Sequence, residues 1–316
     1  MGEFELIRHY FQPLAEGAGQ DQLVLGPGDD CAIQRVPPGR DLVFSVDTLI
    51  EGVHFPLNYA SSCLGWRALA VAVSDLAAMG ADPVCFTLAL SLPQVDHDWL
   101  AGFGQGLARA SDAFNIRLAG GDTTRGPLTI TVQVHGTVPQ GRALLRSGAQ
   151  PGDKVCVSGC LGNAGAALDY LDLATPDALQ AEILASYHQP CPQLGLGAAL
   201  AGKASAAIDI SDGLLADLQH ILAASGVGAE LDAGAVPLSP ALRQLQPERA
   251  LDLALTAGDD YQLCVTIAPA VLAGLPAAIR GRLSVIGTIV PGTGVALKGS
   301  DRDHRLEGYD HFRRPD

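Results

Sequence analysis

The chain has 316 residues, 48% of them hydrophobic, and 20 Lys plus Arg against 34 Asp plus Glu give a formal net charge of −14. That length is more than one core organises, so two domains are expected. The acidity argues against a surface that binds nucleic acid or an anionic membrane, because such surfaces rest on basic side chains that neutralise phosphates.

In chain order, GEFELIRHYFQPL reads as a short amphipathic helix and LVLGPGDDCAI as a strand that breaks at Gly26, Pro27 and Gly28 before the adjacent Asp29 and Asp30. DLVFSVDTLIEGVHF is a second strand. A long Ala/Leu/Val helix over about Leu64–Met79 follows, closed by Gly80 and Pro83, with Asp75 inside its apolar pattern. VCFTLALSL is a strand, Asp98–Phe114 a helix, and RLAGGDTTRGPLTITVQVHGTV a strand, an acidic loop and a strand. A boundary falls in RSGAQPGDKV, where Gly148, Pro151, Gly152 and Asp153 cluster, which divides the chain into domains 1–148 and 149–316. Beyond it come a strand and Gly-rich turn (KVCVSGCLGNAG), a strand, acidic turn and helix (SAAIDISDGLLADLQHILAASG), a second acidic turn leading into a strand (LALTAGDDYQLCVTI), one helix (APAVLAGLPAAI) and a strand (LSVIGTIV). The fold class is α+β, with mixed sheets and helices.

No apolar run approaches the ~18 residues of a membrane span and no basic leader precedes an apolar stretch, so the expectation is a protein with no membrane partner. Seven scattered cysteines without a C-x-x-C pair point to the reducing cytoplasm rather than to a disulfide framework or zinc ribbon. Lysine is confined to Lys154, Lys203 and Lys298, so any phosphate chemistry must rely on arginine, backbone amides or metal ions.

Two glycine patterns resemble phosphate loops. Gly197, Gly202 and Lys203 fit the P-loop spacing, but Ala204 stands where a Ser or Thr is needed and a helical run precedes them, so the match is discarded. Gly159, Gly162 and Gly165 are off the dinucleotide spacing; they make either a tight strand-to-helix turn or a helix start that approaches an anion.

Acidic residues recur beside glycine or a small hydroxyl residue at apolar strand ends: PGDD, SVDT, GGDTT, DISDG and AGDD. Any one of them reads as an ordinary turn or helix cap. Their recurrence suggests carboxylates presented at a rigid edge with cations among them, and all-oxygen donors without a His or Cys cluster suit magnesium. Asp75 stands out, since a carboxylate amid apolar helix residues must be paired or metal-bound.

GPGDDCAI, SVDTLIEGVHF, ALAVAVSDLAAMGADP, LAGGDTTRGPLTITV, RSGAQPGD, IDISDGLLADL, LTAGDDYQLC and GYDHF together resemble the ordered motifs of the thiamine-monophosphate kinase family, from about Gly2 to Phe312. That family shares a superfamily with aminoimidazole ribonucleotide synthetase, selenophosphate synthetase and HypE. The resemblance implies two PurM-like domains, a homodimer built through the N-terminal ones, ATP as co-substrate, several Mg²⁺ ions, and thiamine monophosphate as acceptor.

Position by position, the resemblance implies metal ligation by Asp30, Ser45, Asp47, Asp75, Asp122, Asp209 and Asp212, joined by the Val46 backbone. It implies nucleotide contacts by Gly121, Asp122, Arg146 and Ser211, and substrate contacts by His54, Asp259 and Tyr309. Asp29 is expected to support Asp30. The family's usual GGEDYE is AGDDYQ here, which shortens the carboxylate at Asp259 by one methylene and replaces the following acid with Gln262. His54 alone would read as a structural histidine, and Tyr309 alone as a tail anchor; an electron-rich ring can also stack on a cationic thiazolium. The acceptor phosphate is already ionised at neutral pH, so no general base is assigned. Two other readings stay open: an ATP-dependent enzyme of the same superfamily with another acceptor, and a non-catalytic acidic protein that binds metal or nucleotide.

Overall fold

The computed structural model describes residues 3–15 and 21–299, which form two compact units. The first comprises the described residues up to Leu76 together with Ala81–Ala143, and the second comprises Ala77–Gly80 and the described residues from Leu144 onward.

In the first unit, α1 (Glu3–Leu6) passes into a π-helical turn (Ile7–Phe11) and a 3-10 turn (Gln12–Ala15), so the expected single amphipathic helix is an irregular one. Pro13 lacks the N–H that a regular ladder requires. A small antiparallel ladder, β1 (Leu23–Leu25) with β2 (Ile33–Gln34), precedes the edge strand β3 (Arg40–Ile50). Then come α2 (Ser61–Ala78), β4 (Asp82–Leu92), α3 (His97–Phe114), β5 (Arg117–Arg125) and β6 (Thr129–Pro139).

The sheet order is β3-β6-β4-β5, with β4 and β5 parallel and the other pairs antiparallel. Period-2 alternation gives the sheet one apolar face. Leu88, Leu90, Ile130, Val132 and Val134 are buried there, as are Leu69, Ala72, Val73 and Leu76 of α2. Phe44 and Val46 lie on the other face of β3 and are 62% and 58% exposed. α3 starts on Asp96, whose carboxylate accepts the Trp99 amide, and ends on Asn115 in the left-handed region.

The expected acidic loop at GGDTT is strand: β5 runs on through Arg125 and pairs with β4 as far as Leu92. Gly121 serves close strand approach rather than a turn. A Cβ on Gly121 would lie 2.0 Å from the Leu88 carbonyl oxygen.

The second unit holds β7 (Lys154–Ser158), α4 (Asn163–Ala167), α5 (Ala178–His188), α6 (Leu194–Leu200), β8 (Ala206–Asp209), α7 (Leu214–Ser225), β9 (Gly228–Asp232), α8 (Pro240–Leu245), α9 (Ala250–Thr256), β10 (Leu263–Ile267), α10 (Pro269–Gly274), α11 (Ala277–Arg280), β11 (Leu283–Val290) and β12 (Gly294–Lys298). Its six-stranded sheet has the order β12-β9-β11-β7-β10-β8, antiparallel except for the β12–β9 pair. The apolar side of α7, with Leu214, Leu218 and Ile221, packs into one buried cluster with Val155, Val157, Ile208 and Ile286. The run expected as one helix at APAVLAGLPAAI is two, α10 and α11, parted at Leu275 and Pro276, because the residue before a proline is driven out of the helical region. The discarded P-loop pattern is the end of α6, where the Lys203 ammonium donates to the Ala199 carbonyl. Tyr309 lies outside the described residues.

Candidate active site

In the first unit the break at Gly-Pro-Gly is real: Gly28 has φ +126°, a conformation L side chains rarely adopt. Directly after it, the Asp29 carboxylate accepts the Asp30 backbone N–H at 2.9 Å. Asp29 thus buttresses the peptide of its neighbour, and both carboxyl groups are exposed. They line a cleft of ≈670 Å³ together with Gly120, Gly121 and Asp122 of β5. Arg8 is the cation among its lining residues, and Ile7, Phe11 and Leu118 give it an apolar portion. The cleft therefore gathers Asp30, Gly121 and Asp122 from two separate sequence motifs, GPGDD and GGDTT.

A second group forms where β3 meets α2. Alternation places Ser45, Asp47 and Leu49 on the more buried side of β3, opposite Val134, Val132 and Ile130. There the Ser45 hydroxyl hydrogen-bonds the Asp75 carboxylate of α2. The carboxylate that the apolar helix pattern required to be paired is paired, and with another expected site residue. Val46 falls on the opposite, exposed face. Register aligns Asp122 with Ala89, Thr131 and Thr48, one row from Asp47, so the sheet staggers these two carboxylates instead of pairing them. His54 sits in the turn after β3, where its Nδ1 accepts the Ile50 amide at 3.0 Å; a proton on this ring therefore resides on Nε2.

In the second unit, Asp209 ends β8 and Ser211 and Asp212 follow in the turn before α7. The AGDDYQ segment is laced to this turn. Asp259 N–H donates to the Ser211 carbonyl, Tyr261 N–H to the Ile210 carbonyl and Ile210 N–H to the Gln262 carbonyl, each at 2.8 Å. A Cβ on Gly258 would lie 2.2 Å from the Ser211 oxygen, which is why glycine stands there. Asp259 and Tyr261 both have positive φ, and the Tyr261 hydroxyl donates to the Asp259 carboxylate at 3.0 Å. Gln262, in place of an acid, accepts the Ser158 hydroxyl at 2.7 Å. Arg146 is exposed in the segment beside β8, where the Leu145 carbonyl accepts the Ala207 amide.

Two buried carboxylates were not among the expected site residues. Asp217, inside α7, accepts the Ser211 and Asp212 amides at 3.0 Å each, and burial pushes its carboxyl up to about 7. Asp260 accepts the Gly162 amide at 2.7 Å, and burial pushes it up to about 8. The Gly162 contact also decides the Gly-rich turn: the start of α4 is occupied by the chain's own carboxylate, so GCLGNAG is a tight strand-to-helix turn. For Asp217 the signal was present in LLADL, an acid in an apolar helical run as at Asp75.

Residues 28–138 match the family model of the AIR synthase related protein, N-terminal domain, and residues 150–300 match that of its C-terminal domain. The chain is 44% identical to a thiamine-monophosphate kinase of Escherichia coli (strain K12), over 99% of both chains. The chain belongs to the thiamine-monophosphate kinase family. A crystal structure of thiamine-monophosphate kinase from Stenotrophomonas maltophilia K279a is 44% identical, covers 90% of this chain and 93% of its own, and superposes with a TM-score of 0.84. A structure of AaThiL complexed with AMPPCP and TMP is 28% identical over 98% of this chain and 97% of its own, with a TM-score of 0.80. E. coli HypE, at 23% identity, shares the fold with a TM-score of 0.72.

Family membership brings magnesium into question, and the donor chemistry fits it. The candidate donors at the cleft and at the β3–α2 contact are carboxylates and hydroxyls; no His lines the cleft, and its cysteine, Cys31, is a soft donor that Mg²⁺ does not favour. Among the described residues no three His, Cys, Asp or Glu side chains form a ready cage. Carboxylates in ones and twos beside a cleft suit Mg²⁺, which keeps its waters and shares substrate phosphates rather than entering an all-protein cage.

Proposed function

We propose that this chain transfers the γ-phosphoryl group of ATP to the phosphate of thiamine monophosphate, giving ADP and thiamine diphosphate, the last step of thiamine diphosphate biosynthesis. The observation that carries the reading is the 44% identity to a thiamine-monophosphate kinase over 99% of both chains. The AaThiL structure with AMPPCP and TMP supports the same pair of reactants.

Both reactants are anions, and phosphoryl transfer leaves the protein mainly positioning and charge neutralisation to do. Asp30, Ser45, the Val46 backbone, Asp47, Asp75, Asp122, Asp209 and Asp212 are the proposed holders of several Mg²⁺ ions. When bound, these ions supply the positive charge that brings two phosphates together. Gly121, Asp122, Arg146 and Ser211 contact the nucleotide, and Gly121 offers backbone without a side chain to obstruct it. Asp259, its carboxylate held by Tyr261, contacts the acceptor with His54 and Tyr309. Transfer is direct and in line, and no side chain serves as general base.

The exposed Leu42, Phe44 and Val46 on edge strand β3 support a homodimer formed through the N-terminal unit. No described helix is long and apolar enough to cross a membrane, in keeping with a proposed cytoplasmic location.

Purified protein with ATP, Mg²⁺ and thiamine monophosphate tests the reading. Thiamine diphosphate is expected, and its absence overturns the proposal. A phospho-enzyme trapped from radiolabelled ATP without acceptor would overturn direct transfer.

A further inference from the structure

The turn that carries Ser211 and Asp212 is held from two sides. The carbonyls of Ile210 and Ser211 are taken by the amides of Tyr261 and Asp259. The amides are taken from within α7. The Asp217 carboxylate, only 3% exposed, accepts Ser211 N–H and Asp212 N–H at 3.0 Å each, and Gly213 N–H as well. Asp217 N–H in turn donates to the Gly213 carbonyl at 3.0 Å, closing the first helical turn onto the loop. Gly213 has φ +113°, and a Cβ there would stand 2.7 Å from the Thr256 oxygen, so the backbone has little room to rearrange.

Amides before a helix are ordinarily ready to receive an anion. Here they are occupied by a buried carboxylate of the same helix, and the loop is left to meet ligands with the side chains of Ser211 and Asp212. A loop so arranged favours cations over phosphate.

We propose that Asp217 is a positioning residue that fixes the backbone carrying Ser211 and Asp212 and withholds three amides from phosphate, so that this loop holds a cation. The inference rests on the kinase reading for what the loop serves, and on the hydrogen bonds alone for how it is held.

The test combines hydrogen exchange of the parent protein with two variants, Asp217→Asn and Asp217→Leu. In the ligand-free parent, the amides of residues 211–213 are expected to be protected; exchange at the rate of open solvent-exposed amides overturns the proposal. Asn retains a carbonyl oxygen for Ser211 and Asp212, whereas Leu keeps the branched shape and accepts nothing. Loss of a supporting residue typically weakens metal binding ~10–100-fold, so the Leu variant should need at least ~10-fold more Mg²⁺ for half-maximal turnover, and the Asn variant less than ~3-fold more. The KM for thiamine monophosphate should stay within ~2-fold, and freed amides should make the Leu variant ~10-fold more sensitive to inorganic phosphate. A folded Leu variant with the parent's Mg²⁺ requirement and phosphate sensitivity overturns the proposal. Should the Leu variant not fold, exchange in the parent decides. A parent that makes no thiamine diphosphate fails the kinase reading, while its exchange pattern still reports on Asp217.

Discussion

The Ser45 hydroxyl hydrogen-bonds the Asp75 carboxylate, tying strand β3 to helix α2 through oxygen atoms. Asp75 is flanked by the fully buried Ser74 and Leu76, so the helix aims it at the strand with little freedom. Replacing the carboxylate with an isosteric amide removes charge but preserves shape. Loss of one preorganised electrostatic group costs ~10²–10³ in kcat, and Asp75→Asn should fall in that range with an unchanged far-UV spectrum. Ser45→Ala should lose less, ~10-fold, because the carboxylate remains. Steady-state kinetics across a Mg²⁺ titration distinguishes the two, and an Asp75→Asn enzyme with the parent's titration curve would remove Asp75 from the metal ligands.

Asp29 and Asp30 should separate sharply despite their adjacency. Asp29 accepts the Asp30 amide, a task the carbonyl oxygen of Asn also performs, though more weakly than a carboxylate. Asp29→Asn should therefore keep turnover within ~3-fold of the parent, the cost of a slightly weakened local hydrogen bond. Asp30→Asn removes a charge at the cleft and should lower kcat/KM for ATP by ~10² or more. Equal losses in the two variants would show that both carboxylates meet the ligand.

The elements with strong periodicity were legible in the sequence. β3, β4 and α3 lie where alternation and the 3.6 period put them, and α2 begins three residues before the expected Leu64. Less legible was GGDTT, because glycine, aspartate and threonine together read as a turn; the tight packing of Gly121 on Leu88 explains why that position inside the strand is glycine. β9 and β12 were not anticipated, since GAELD and GVALK are short and one pairs in parallel with the other across a long stretch of chain. The identities of the acidic side chains were readable, but their partners were not. Ser45 meets Asp75 thirty positions away, and Gly162 meets Asp260 ninety-eight away, distances over which spacing carries no signal. Asp217 carries the same signal as Asp75, an acid in an apolar helical run, but in LLADL it also reads as an ordinary acid of a helix's first turn until its burial is known.

Gly121 tests how closely the sheet and the cleft are linked. An added Cβ would stand 2.0 Å from the Leu88 carbonyl oxygen, an atom that cannot swing aside, so β4 and β5 must part locally. Overpacking of this kind typically costs ~1–3 kcal/mol, which Gly121→Ala should show in urea unfolding. The same separation displaces Asp122 and the cleft wall, so the KM for ATP should rise as well. A variant with the parent's stability would mean that the strands carry slack at this point.

Asp260 gives the fold a pH dependence of defined sign. Burial is the main cause that raises its carboxyl to about 8, with the nearby Asp259 charge adding to it and the Gly162 and Ala164 amides opposing it. In the unfolded chain the group titrates near the ordinary 3.8, so between that value and about 8 the folded state binds more protons than the unfolded one. Stability contributed by this group is therefore full below the unfolded value and declines as pH rises through the window. Asp260→Asn cannot ionise and retains an oxygen for the Gly162 amide. Urea midpoints of parent and variant at about pH 5, 7 and 9 should consequently diverge, the variant gaining on the parent as pH rises, and other titrating groups cancel in the difference. If the difference between the two midpoints is flat across that range, Asp260 is ionised in the folded protein throughout and its two amides outweigh its burial.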